Sequence, residues 1–67
     1  MITLGEAFSK EQSRLRTLLG YYKEIGPPGL FGAAMIEDCL KRADKAVMEQ
    51  DLAQMIAIYK EMQEFKE

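Results

Sequence analysis

The segment Ile25-Gly26-Pro27-Pro28-Gly29-Leu30 is the strongest break signal in this sequence of 67 residues. Pro lacks a backbone N–H and Gly adopts turn conformations without steric cost, so a cluster of the two interrupts regular structure. No comparable cluster occurs elsewhere in the chain. The sequence therefore predicts two helical arms joined by a Gly-Pro-Pro-Gly turn.

The arm before this turn has the pattern of one amphipathic helix. Its apolar residues recur at steps of three and four, which places them on one buried face. Thr3 and Glu6 fit a capping box, in which the Thr hydroxyl accepts a hydrogen bond from the amide three residues later. We predict a first helix over residues 4–25.

The arm after the turn is predicted to form two helices. Apolar residues keep helical spacing over 30–48, and the pattern then changes phase at Asp51, where a second capping box begins. This change predicts a third helix over 52–66 that folds back on the second. A continuous bent helix is the alternative, because residues 49–50 contain neither Gly nor Pro.

The composition excludes several classes of function. The chain has no His and one Cys, so it can form neither an intramolecular disulfide nor an ordinary zinc site, and it lacks the commonest general base. We therefore expect no enzyme activity, no cofactor and no metal. The net charge of −2 and pI of about 5.1 argue against nucleic-acid binding. Without a signal peptide or an apolar run of ~20 residues, we expect a cytoplasmic protein with a reduced thiol and no membrane contact.

The third predicted helix has an apolar surface wider than one neighbouring helix requires. One seam, formed by Leu52, Ile56 and Tyr59, is predicted to pack against the second helix. The other seam has the 3-4-3 spacing of a heptad and consists of Met55, Ile58, Met62 and Phe65. If the first helix covers this second seam, the protein is a three-helix bundle. If it does not, another molecule covers it.

The small size favours association. A chain near 60 residues buries only about 60% of the surface that its unfolded form exposes, and self-association is a common remedy. We therefore predict one all-α domain over 1–67, a helical hairpin or small three-helix unit that forms a homodimer. The predicted dimer or partner contacts are the apolar anchors Met55, Ile58, Met62 and Phe65, with Phe31 and Met35 at the edge and Arg14 and Tyr21 on the rim. On this interpretation, changing Ile58 and Phe65 to Asp abolishes binding.

Two stretches of the sequence resemble short early-region proteins of transposable phages, in particular the anti-quorum-sensing anti-activators. They are Ile-Gly-Pro-Pro-Gly-Leu-Phe-Gly-Ala-Ala-Met-Ile-Glu at 25–37 and Met-Ile-Ala-Ile-Tyr-Lys-Glu-Met at 55–62. The resemblance implies a small dimeric helical protein that acts in the host cytoplasm. Such a protein binds and inactivates a host regulatory protein such as a quorum-sensing transcription activator, and in addition a pilus-assembly ATPase. The resemblance is too general to assign a functional role to any particular residue of this chain.

The sequence is compatible with three functions. The first is a non-enzymatic interaction module that inhibits a host protein by covering its functional surface. The second is an oligomeric sponge for an anionic signal such as a cyclic nucleotide, held by Arg14, Arg16 and the helix start at Gly29–Gly32. The third is a structural subunit of a larger assembly, which the sequence does not separate from the first.

Overall fold

A computed structural model describes residues 3–65, which form three helices around one core, each antiparallel to the one before it in the chain. The helices are α1, Leu4–Ile25, α2, Leu30–Met48, and α3, Leu52–Glu64, and a single 3-10 turn at Pro27–Gly29 links α1 to α2. The predicted all-α class is confirmed for the described part of the chain, and the first two helices have the predicted bounds. The third helix begins at Leu52 as predicted but ends at Glu64, because Phe65 takes an extended conformation, and residue 66 of the predicted helix lies outside the described residues.

The N-terminal ends of α1 and α3 carry the predicted side-chain caps. The Thr3 hydroxyl accepts a hydrogen bond from the Glu6 amide at 3.1 Å, and the Asp51 carboxylate accepts one from the Gln54 amide at 3.2 Å. Each bond satisfies one of the amides that a helix leaves unpaired in its first turn. These local signals explain why both helices begin where the sequence predicts.

The turn between α1 and α2 depends on two of its glycines for different reasons. Gly26 has a φ of 86°, a conformation that residues with a Cβ rarely adopt, and it ends α1. Gly29 is buried against the preceding helix, where a Cβ would lie 2.3 Å from the carbonyl oxygen of Tyr22. The turn can therefore bring α2 directly against the last turns of α1.

The break between α2 and α3 is confirmed, and the alternative of a continuous bent helix is wrong. Gln50 takes a φ of 54°, so the chain leaves the helical path there. The Gln50 amide donates to the Val47 carbonyl at 3.1 Å, and the Asp51 amide donates to the Ala46 carbonyl at 3.0 Å. This pair of bonds is the Schellman motif that commonly ends a helix, here formed with Gln in place of the usual Gly.

The core lies between the three helices and receives side chains from each of them. Its buried members are Phe8, Leu15, Leu18, Ile36, Cys39, Leu40, Ala43, Ala46, Met55, Ile58 and Met62. The heptad seam of α3 is thus covered within this chain, and the protein is a three-helix bundle. The assignment of Met55, Ile58 and Met62 as exposed anchors is wrong, because their side chains are buried between α1 and α2.

The other α3 seam also differs from the prediction. Leu52 is 62% exposed and Ile56 is 48% exposed, whereas Tyr59 is partly buried and packs against the core. The structure therefore selects the alternative in which the first helix covers the heptad seam, and the predicted packing of Leu52 and Ile56 against α2 is wrong. Contacts with α1 and α2 determine how α3 is rotated about its own axis, and this rotation decides which seam is buried.

Cys39 is a buried core residue, as its apolar position predicts. Its side chain is inaccessible to solvent. Burial, with a smaller contribution from the nearby Glu61 carboxylate, raises the pKa of the Cys39 thiol to about 11. Because the thiolate is the nucleophilic form, this thiol is unreactive at neutral pH in the folded protein.

Candidate interaction surface

Arg14 of α1 holds the C-terminal end of α3. Its guanidinium donates to the carbonyl oxygens of Met62 at 2.7 Å and of Phe65 at 2.8 Å, while its Nε pairs with Glu11 at 2.6 Å. The last carbonyls of a helix have no partner within the helix and carry the negative end of its dipole, so a cation there is favourable. Arg14 was predicted as a rim contact for a partner, but its side chain instead joins two helices of this chain.

Arg42 of α2 holds the opposite side of α3. Its two terminal nitrogens donate to the Glu61 carboxylate at 2.7 and 2.8 Å, and its Nε donates to Asp38 at 2.9 Å. The hydrogen bond to Glu61 raises the pKa of the Arg42 guanidinium above its ordinary value. The two arginines therefore mark, on α1 and on α2, the level at which α3 ends.

The two arginines differ in burial, which predicts different contributions to stability. Arg14 is 29% exposed and bonds two carbonyls, so Arg14→Met is expected to lower the free energy of unfolding by about 1.5 kcal/mol. Arg42→Met removes a more exposed carboxylate pair and is expected to cost less than about 1 kcal/mol. Urea unfolding measures both, and amide exchange in the last turn of α3 should accelerate most in Arg14→Met. Equal losses, or a larger loss for Arg42→Met, would contradict the assigned role of Arg14.

Beyond the two arginines, α1 and α2 continue without α3 beside them. Tyr21 and Ile25 follow Arg14 by about two and three helical turns on the same flank of α1. Met35 and Phe31 precede Arg42 by the same intervals on α2, which runs in the opposite direction. These four residues therefore lie on the side of the bundle that α3 occupies lower down, and we call them the open face.

The open face is apolar and exposed. The exposed fractions are 54% for Tyr21, 57% for Ile25, 79% for Phe31 and 47% for Met35. A shallow pocket of about 250 Å³ is lined by Leu18, Tyr21, Tyr22 and Ile25. Large apolar side chains grouped in this way, rather than scattered singly, are typical of a surface that binds another molecule.

The predicted contact residues thus divide into two groups. Tyr21, Phe31 and Met35 are exposed and belong by helical register to the open face, whereas Met55, Ile58 and Met62 lie in the core. Phe65 is partly buried against the core at the end of α3. Replacing Ile58 with Asp would therefore test folding and not binding.

Ile25 belongs to the open face but was not among the predicted contacts. The sequence places it on the same apolar stripe as the buried residues of α1, so its pattern alone indicates a core position. The signal that could have identified it is length, since α1 has 22 residues and α3 has 13. A helix that short cannot cover the whole of α1.

A second group of exposed apolar residues lies at the opposite end of the bundle. It consists of Val47, Met48, Leu52 and Ile56, on either side of the turn between α2 and α3. The pocket nearest to this turn, of about 260 Å³, is lined mainly by charged and polar side chains such as Lys45, Glu49 and Gln54. The pocket at this end is therefore mainly polar, unlike the apolar pocket of the open face, and the exposed residues here offer positions for control substitutions.

The proposed contacts of an anion sponge are engaged elsewhere. Arg14 bonds Glu11 and two carbonyls, and a terminal nitrogen of Arg16 lies 3.5 Å from the Asp44 carboxylate. The Gly29 amide donates to the Gly26 carbonyl at 2.8 Å. These groups do not converge on a common site. Within residues 3–65 no three potential metal ligands cluster together either.

Comparison with known proteins adds no family. No protein-family model matches the sequence, and neither a curated protein nor a solved structure matches it. Over the described range, none of the helices has the length and apolar character needed to cross a membrane.

Proposed function

We propose that the protein is a small non-enzymatic interaction module that binds another protein through the open face. The observation that carries this proposal is the arrangement of four exposed, large apolar side chains at the level where α3 no longer covers α1 and α2. Apolar and aromatic anchors generally provide most of the binding energy at protein interfaces. Two of the four residues, Tyr21 and Phe31, are aromatic.

The proposal includes the kind of partner. The resemblance to early-region phage proteins supports a host regulatory protein, such as a quorum-sensing transcription activator, which the module would inactivate by covering its functional surface in the host cytoplasm. A second copy of this chain is the other candidate, since a protein of this size gains stability from association. Both partners would use apolar side chains that the isolated chain leaves exposed.

A matched pair of substitutions tests the proposal. Phe31→Asp and Leu52→Asp each place one carboxylate in the first turn of a helix, where the helix dipole favours it, and each removes an exposed apolar side chain. We expect both variants to keep the helicity and melting temperature of the wild type. Phe31→Asp should capture at least about 90% less partner than the wild type in a host-lysate pull-down, which corresponds to a loss of more than 1.4 kcal/mol in binding free energy. Leu52→Asp should capture as much partner as the wild type.

Light scattering on the same samples reports whether the partner is a second copy. A dimer mass that falls to a monomer mass only in Phe31→Asp identifies self-association through the open face. If Phe31→Asp retains both its partner and its mass, or if Leu52→Asp loses them equally, the open face is not the binding surface.

A further inference from the structure

The groove that the open face forms continues a groove that already holds a helix. Below the level of Arg14 and Arg42, α3 lies between α1 and α2 and inserts Met55, Ile58 and Met62, at the spacing of one helical stripe. Above that level the same two helices continue, with the side chains of the open face along the walls. The shape that accepts α3 therefore extends beyond α3.

The length of this uncovered groove suits a short helix. From Leu18 to Ile25 α1 rises about 10.5 Å, which corresponds to roughly two helical turns. The groove thus accommodates two or three anchors of an amphipathic helix spaced at three or four residues, as in other complexes where a helix binds a groove.

The border of the groove is acidic. A pocket of about 250 Å³ at its lower end is lined by Met35, Phe65, Glu61 and Glu64. Glu61 is neutralised by Arg42, whereas Glu64 forms no ion pair with any residue between 3 and 65. The C-terminal end of α3 lies at the same border, where the Arg14 guanidinium bonds its last carbonyls, so the acidic character of this border comes from Glu64.

The upper border has the same sign. Glu24 lies one turn from Tyr21 on α1 and likewise has no ion-pair partner within the described residues, whereas the adjacent Lys23 is paired with Glu37 at 3.0 Å. The guanidinium of Arg14, the base nearest to the groove on α1, is already bonded to Glu11 and to two carbonyls. Among residues 3–65, the carboxylates of Glu24 and Glu64 are thus border charges without an ion-pair partner.

From this combination we infer that the open face binds an amphipathic helix of another protein, with apolar residues on one stripe and Lys or Arg on its flanks. The helix lies in the groove beyond α3 and completes the three-helix arrangement at that end of the bundle. A second copy fits less well, because its own open face would bring a second acidic border toward the first, and like charges across an interface are unfavourable. This inference rests on the proposed function and specifies the partner.

Two synthetic peptides provide the test. Both carry the same leucine stripe at three- and four-residue spacing, one with Lys flanks and one with Glu flanks, and fluorescence anisotropy measures their binding to the full chain. We expect the Lys-flanked peptide to bind at least about tenfold more tightly, with the difference shrinking at high salt. The double variant E24K/E64K should reverse the preference.

Charge-preserving controls separate specific binding from general attraction to an acidic protein. Phe31→Ala removes the most exposed anchor of the open face without altering the charge and should weaken binding of the Lys-flanked peptide by about tenfold or more. Leu52→Ala, at the other end of the bundle, should leave its affinity unchanged. Circular dichroism confirms that each variant keeps the wild-type helicity.

The remaining outcomes would overturn the inference. Equal binding of the two peptides, preference for the Glu-flanked one, no binding of either, or equal effects of Phe31→Ala and Leu52→Ala each exclude a basic helix in this groove. A dimer that dissociates in Phe31→Asp, in a protein that binds neither peptide, would make the second copy the occupant and leave the proposed function intact. The proposed function itself fails if Phe31→Asp keeps both its lysate partner and its mass, or if Leu52→Asp loses them equally.

Discussion

Ile58→Asp is expected to unfold the protein, whereas Ile56→Asp, two positions earlier on the same helix, is expected to leave it folded. Ile58 is 4% exposed and lies in the core, while Ile56 is 48% exposed. A carboxyl group at position 58 must lose its hydration without a partner, at a cost of about 4 kcal/mol or more. A small domain has only about 3–5 kcal/mol of stability from its core, so the folded state would not persist.

Far-UV circular dichroism with urea titration measures both variants. The control Ile56→Asp introduces the same group into the same helix and should change the free energy of unfolding by less than about 1 kcal/mol. The opposite order of effects would show that the other seam of α3 faces the core, as the sequence interpretation proposed.

Gly29→Ala is expected to destabilise the protein by about 3 kcal/mol, at the upper end of the usual range for overpacking. The added Cβ would lie 2.3 Å from the Tyr22 carbonyl oxygen and 3.1 Å from its carbonyl carbon. Because these are backbone atoms, relief requires α1 and α2 to separate at the turn and cannot come from a change of rotamer.

Gly20→Ala is the matched control, because nothing lies within 4 Å of the Cβ that it adds in the middle of α1. It should raise stability by about 0.5–1 kcal/mol, since Ala loses less backbone entropy than Gly in a helix. In a domain of this size each kcal/mol changes the melting temperature by about 4–8 °C, so thermal melts should show shifts of opposite sign. Shifts of the same sign would contradict the close approach at Gly29.

The features that the sequence predicts correctly all depend on local chemistry. The cap at Thr3, the cap at Asp51 and the bounds of α1 and α2 follow from residues within a few positions of one another. Even the break at Gln50, which has no glycine, was indicated by the change in apolar phase and by the cap that follows it.

The assignment of faces depends on distant contacts, and there the sequence interpretation failed. Both seams of α3 are apolar and helically spaced, so periodicity alone does not show which one is buried. The rotation of α3 about its axis accompanies the contacts that α3 makes with Arg14 and Arg42, and both arginines are distant from α3 in the sequence. Once the heptad seam faces inward, exposed apolar side chains remain on α1 and α2 beyond the end of α3, and a second group remains around the turn between α2 and α3.

Site-specific photo-cross-linking tests the central claim most directly, namely that the open face is the surface that contacts a partner. p-Benzoylphenylalanine replaces Phe31 in one sample and Leu52 in the other, both exposed in the first turn of a helix. After irradiation in host lysate, we predict a covalent adduct of higher mass from position 31 and none above background from position 52. Adducts of equal yield at both positions, or an adduct at position 52 alone, would contradict the account.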